Sequence, residues 1–142
     1  MGVRLDRDGA TALLVLDREE RGNALSAHDL LHDLPEAWRT VREDPSIRVV
    51  VVTGAGSRSF TSGADVSDPA LVARIATPSD APPMRFTGRQ LGVWKPIITA
   101  VNGRCVGGGL WFLADCDFAL AAETESFDTD DLRDNVARFL GK

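Results

Sequence analysis

The chain has 142 residues, 44% of them hydrophobic, and a formal net charge of −5 at pH 7. That length and apolar content support one globular core and exclude compositional disorder. An acidic balance without a basic stripe argues against DNA or RNA as a partner.

The first residues are charged from Arg4 onward and contain no apolar signal core. Asp6 stands where a myristoylation signal requires Ser or Thr, and no apolar run is long enough to span a bilayer. The expected location is the cytoplasm, with no membrane partner. Residues 3–7 and 11–16 flank Asp8-Gly9, a dipeptide that favours a type I′ turn, so a β-hairpin should open the fold. Ser26 is placed as an N-cap before Leu30, Leu31, Leu34, Ala37, Trp38 and Val41, which follow helical spacing. Pro35 should break or kink that helix. The β-branched run 49–53 reads as a buried strand. Residues 67–83 are poorly patterned and rich in Pro, Ala and Ser, which suggests a mobile surface excursion of the kind that shapes substrate sites. Helices are expected at 84–93 and 108–114, and strands at 97–101 and 118–122. This alternation predicts an α/β fold of stacked ββα units.

Several patterns carry little chemistry. Cys105 and Cys116 form no CxxC motif and read as reduced, buried thiols. His28 and His32 could share a helix face, but no third ligand has metal spacing, so no metal site is expected. Gly54-Ala55-Gly56-Ser57-Arg58-Ser59 begins like a dinucleotide fingerprint, yet Ser59 stands in place of its third glycine. No glycine loop is followed by the GK[ST] of a nucleotide phosphate loop.

The glycine triplet Gly107-Gly108-Gly109 is more informative. It follows the strand residues Ile97-Ile98-Thr99-Ala100-Val101 and Asn102, and it opens a predicted helix. Glycines there allow close backbone approach and leave amide N–H groups free for an oxyanion, although a tight turn would use the same residues. A second strand-loop-turn unit lies upstream, where Val49–Gly54 leads to Ser59-Phe60-Thr61-Ser62-Gly63-Ala64-Asp65.

Together with Arg21-Gly22-Asn23-Ala24-Leu25-Ser26, these segments resemble, in type and order, the crotonase superfamily of enoyl-CoA hydratases and isomerases. The likeness runs from about residue 13 to residue 127. It implies a ClpP/crotonase-like α/β fold, with residues 1–127 as a partial core and 128–142 as a divergent tail. The chain would then stop short of the family's C-terminal helical region, which builds the trimer contact, so a homotrimer would have to form without it. The resemblance also implies an acyl-CoA thioester as partner, with coenzyme A as part of the substrate and no separate cofactor. The N–H groups of Ala64 and Gly108 would form an oxyanion hole, with Ser62, Gly63 and Gly107 small enough to admit the thioester. Asn23, Ala24 and Leu25 and the turn 64–67, with Asp65 and Val66, would line the coenzyme A groove, Trp111 would border the substrate, and Arg21 would attract a coenzyme A phosphate.

Two departures from the family pattern bear on the chemistry. Hydratases of the family carry a Glu two residues after the triplet, where this chain has Trp111, whose indole cannot act as a base or an acid. By spacing from Phe127, the second carboxylate falls at Asp131. A single carboxylate fits isomerase-like proton shuttling better than hydration. Residues Leu132, Val136, Phe139 and Leu140 give the tail an amphipathic helical pattern unlike the family. Three readings follow: an enzyme of this superfamily, a non-catalytic acyl-CoA-binding fragment, or a truncated inactive product.

Overall fold

The computed structural model describes residues 2–77 and 82–122. The expectations for Phe127, Asp131, the 127/128 boundary and the tail lie outside the described residues. Strands β1 (Val3–Asp8) and β2 (Thr11–Leu16) form the predicted antiparallel hairpin, with Val3 opposite Leu16 and Asp8 opposite Thr11. Its turn sits one residue later than expected, at Gly9-Ala10. Gly9 has φ 57° and Ala10 a negative φ, the signs of a type II′ turn rather than type I′.

β3 (Val49–Gly54) pairs in parallel with β2, β5 (Ile97–Val101) with β3, and β7 (Phe118–Ala121) with β5. The resulting order is β1-β2-β3-β5-β7. Two short strands, β4 (Ser59–Thr61) and β6 (Arg104–Cys105), form a second, parallel pair. Each follows a strand of the large sheet and precedes a helix, which gives the ββα units β3-β4-α2 and β5-β6-α3. Here α2 is Pro69–Ala76 and α3 is Leu110–Asp115. One face of β2 and β3 supplies Leu14, Leu16, Val50 and Val52 to the core, all fully buried. Phe112 of α3 packs edge-on against Phe60 and Phe86, with ring centroids 6.0 and 5.7 Å apart. None of the described helices is long and apolar enough to cross a membrane.

Four local expectations are corrected. Pro35 does not break its helix. It has no N–H to donate and would press its ring on a carbonyl one turn back. The chain opens instead into a π turn, Asp29–Asp33, in which Leu34 N–H reaches Asp29 O, and α1 (Leu34–Glu43) continues beyond it. The wider turn rotates its residues relative to α1, so Leu30 is buried while Leu31 is exposed. The stretch 67–77 is no structureless excursion, because Asp68 caps α2 by accepting from Ala70 N–H and Pro69 opens it. Finally, 84–93 holds only the 3₁₀ turn Arg89–Leu91. Gly92, at φ 76°, ends that turn, and the Gln90 side chain captures the Phe86 N–H at 3.0 Å. The triplet Gly107–Gly109 likewise forms a 3₁₀ turn ahead of α3 rather than its first α-helical turn.

Candidate active site

The β4-β6 pair brings the two glycine-bearing turns together. Thr61 lies opposite Cys105, and Val106 N–H donates to Thr61 O at 3.0 Å, which sets residues 62–64 beside residues 106–108. The fit leaves no room for a side chain at Gly63 or Gly109. A methyl group on Gly63 would lie 2.9 Å from Val106 O and 3.0 Å from Gly108 N, and one on Gly109 would lie 2.5 Å from Thr61 Cγ2. A methyl on Gly108 would be 3.9 Å from Ala64 N, so the two amides are neighbours. Asn102 fixes the exits of the strands beneath. Its side chain accepts from Gly54 N–H at 3.0 Å and donates to Gly54 O and Gly56 O, both at 2.7 Å.

The direction of the Ala64 amide follows from a bridge to Leu25. Leu25 N–H donates to Gly63 O, and Asp65 N–H donates to Leu25 O, both at 2.8 Å. In the trans peptide between Gly63 and Ala64 the N–H points opposite to the carbonyl, away from Leu25. Among the described residues, neither Ala64 N–H nor Gly108 N–H donates to a backbone acceptor. Two adjacent, unspent donors can hold an oxyanion.

The other expected site residues fall in different places. Ser62 and Val66 are exposed, Val66 at 83%. Trp111, in the first turn of α3, is 36% exposed. Asn23, Ala24 and Leu25 are buried. The Asn23 side chain is committed to the fold. It accepts from Arg18 N–H and donates to Ala55 O and Ser59 O, all at 2.8–2.9 Å, which holds its backbone at φ 57°. Asp65 is also buried and turns inward to Arg18, with Nη2 to Oδ2 at 3.2 Å. Cys105 is half-buried, and its surroundings push the thiol up to about 12, which removes it as a nucleophile near neutral pH. His28 faces Asp33 at 3.1 Å and lies against His32. Among the described residues, no group of three or more His, Cys, Asp or Glu could hold a metal ion.

Sequence reasoning gave no role to Arg18 or Thr61, and it placed Ser67 in the groove-lining turn rather than as a partner of Asp65. The Thr61 hydroxyl donates to Asn23 O at 2.7 Å and accepts from Gly63 N–H at 3.0 Å. The Ser67 hydroxyl and N–H bond to Asp65, and with Arg18 nearby they hold its carboxyl below the usual carboxylate range, against the opposing effect of burial. Asp117 is lowered similarly, by Ile97 N–H and Arg89. A carboxyl whose pKa is depressed on folding adds stability above its unfolded pKa, about 4, and that stability is lost as pH falls through the folded value. The midpoint of thermal unfolding should therefore fall steeply below about pH 4. The double variant Asp65→Asn/Asp117→Asn should flatten that slope. An unchanged slope would assign the acid sensitivity to other groups.

Comparison with known proteins agrees with this architecture. The family described as enoyl-CoA hydratase/isomerase matches residues 6–133. The chain is 38% identical over 144 residues to the (E)-benzylidenesuccinyl-CoA hydratase of Thauera aromatica, across 99% of this chain and 54% of that protein. It is 33% identical over 130 residues to the crotonyl-CoA hydratase of Syntrophomonas wolfei, across 88% and 48%. The crystal structure of an enoyl-CoA hydratase/isomerase from Mycobacterium paratuberculosis superposes with a TM-score of 0.72 at 34% identity, covering 89% of this chain and 47% of that one. The chain thus spans about half the length of the curated relatives it matches. On its matched residues and its fold, the chain belongs to the enoyl-CoA hydratase/isomerase family.

Proposed function

We propose that this chain binds an acyl-CoA thioester and stabilises the enolate formed at its α-carbon through the N–H groups of Ala64 and Gly108. The observation that carries this reading is their apposition: two neighbouring amides, without backbone acceptors among the described residues, held together where a methyl on Gly63 would force the two turns apart. Each donor acts where charge develops on the thioester oxygen, and one such donor supplies about 3 kcal/mol of transition-state stabilisation. On this reading Ser62, Gly63 and Gly107 keep the approach open, and Val66 and Trp111 would border it. The names of the relatives support a CoA thioester as the substrate class. The coenzyme A arrives with the substrate, so no separate cofactor enters the scheme.

Trp111 in place of a carboxylate favours proton shuttling over addition of water, with Asp131 as the single acid/base. The same residue also favours a second reading, in which the chain holds the thioester without catalysis. Exchange of the α-proton of butyryl-CoA in deuterated water separates the two. Catalysed exchange that disappears in Asp131→Ala would identify the enolate and its base. Exchange that persists in Asp131→Ala would keep the enolate and move the base elsewhere. Measurable CoA binding with no exchange would leave a binding protein.

A further inference from the structure

Arg18 follows β2, and its side chain is 21% exposed. Its guanidinium reaches both halves of the bridge that orients the Gly63–Ala64 peptide. Nη1 donates to Ala24 O at 3.1 Å on one side, and Nη2 donates to Asp65 Oδ2 at 3.2 Å on the other. Asp29, the residue that completes the cap with Ser26, lies 3.8 Å from Nη1. The Arg18 backbone joins the same cluster: its N–H donates to Asn23 Oδ1, and its carbonyl accepts from Asn23 N–H, both at 2.9 Å. One planar fork thus ties Ala24 to Asp65, the residues that flank the Leu25–Ala64 bridge.

We propose that Arg18 is a positioning residue for the oxyanion hole, which fixes the direction of Ala64 N–H by clamping the Leu25–Ala64 bridge from both sides. The inference rests on the enolate-stabilising role proposed above. Two acceptors on separate segments need the rigid guanidinium fork, which a lysine ammonium on a flexible stem does not reproduce. The role would be invisible to coenzyme A itself, because Arg18 acts on the donor to the thioester oxygen and not on the nucleotide.

The test compares wild type, Arg18→Lys and Arg18→Met by isotope-edited infrared spectroscopy of the thioester carbonyl of bound butyryl-CoA. Calorimetric titration with coenzyme A and thermal unfolding are run beside it. In wild type the carbonyl stretch should shift down on binding. In Arg18→Lys most of that shift should vanish while coenzyme A affinity is unchanged, and α-proton exchange should fall about a hundredfold at similar KM. Should Arg18→Met fail to fold, Arg18→Lys, which keeps the charge, decides alone. A full carbonyl shift in Arg18→Lys would overturn the positioning role while leaving the oxyanion hole intact. No shift in wild type would overturn the oxyanion hole, and the positioning role with it.

Discussion

Gly63→Ala should cost about 3 kcal/mol of stability and slow α-proton exchange on an acyl-CoA by at least about a hundredfold. The reasons are separable. Gly63 has φ 86°, a region in which an alanine Cβ meets its own backbone at a cost of about 1–2 kcal/mol. The added methyl would also lie 2.9 Å from Val106 O and 3.0 Å from Gly108 N, well inside the usual approach of a carbon to backbone atoms. Both neighbours are backbone, so relief requires that the two turns separate, and forced overpacking costs a further ~1–3 kcal/mol. Separation moves Ala64 away from Gly108 and removes the paired donors. Gly9→Ala is the control. Gly9 also has a positive φ, at 57°, but a methyl there meets nothing within 4 Å, so its loss should be limited to about 1 kcal/mol. Urea midpoints at a constant m value give the first quantity, and exchange rates give the second. Equal losses at Gly63 and Gly9 would mean that the apposition of the turns is not what requires glycine at residue 63.

The contrast between these two glycines illustrates what the sequence could reveal. Strands made of β-branched runs, such as Val49–Gly54, announce themselves because a residue that fits the pleat is also the residue that fills the core. The glycine triplet and the Ser62-Gly63-Ala64 turn were legible as a matched pair through their likeness to a known family. Helix α2 was not, although Asp68-Pro69 is a sound start signal. Of its apolar residues Leu71 is fully buried, whereas Val72 and Ile75 are 44% and 58% exposed, so periodicity gives little help. The opposite error at 84–93 arises because Gln90 turns its side chain back to the Phe86 and Thr87 N–H groups, a competition that no propensity captures.

Asn23 and Asp65 show a subtler limit. Their place in the motif marks them as important without saying whether a ligand or the fold is the beneficiary. The structure commits the side chains of both to the fold. Arg18 explains why this could not be read in advance, since its partner Asp65 lies 47 residues away and nothing in local pattern links the two. Residues that hold a backbone donor in place are recognisable only once the backbone they hold has been traced.

The other large effect should come from Trp38, which is 1% exposed at the junction of α1 with the segment leading into β5. Its indole N–H donates to Phe86 O at 2.9 Å, and its ring lies so close to Gly88 that a methyl there would sit 3.1 Å from it. Trp38→Ala removes a large buried ring and should cost about 3–5 kcal/mol, a sizeable share of the ~5–15 kcal/mol that holds most domains folded. Trp38→Phe keeps most of the bulk but leaves the Phe86 carbonyl without its donor, at about 1–3 kcal/mol. Denaturant midpoints distinguish the two contributions. If the Phe variant loses as much as the Ala variant, the hydrogen bond rather than the packed ring secures α1. If the Ala variant loses less than about 1 kcal/mol, the junction is not part of the cooperative core. The consequence reaches the candidate site through β5, because Asn102 at the exit of that strand ties Gly54 and Gly56 in place and precedes the glycine triplet. A looser junction should therefore weaken thioester binding by the increase in the unfolded fraction, with no change in the carbonyl shift of the molecules that remain folded.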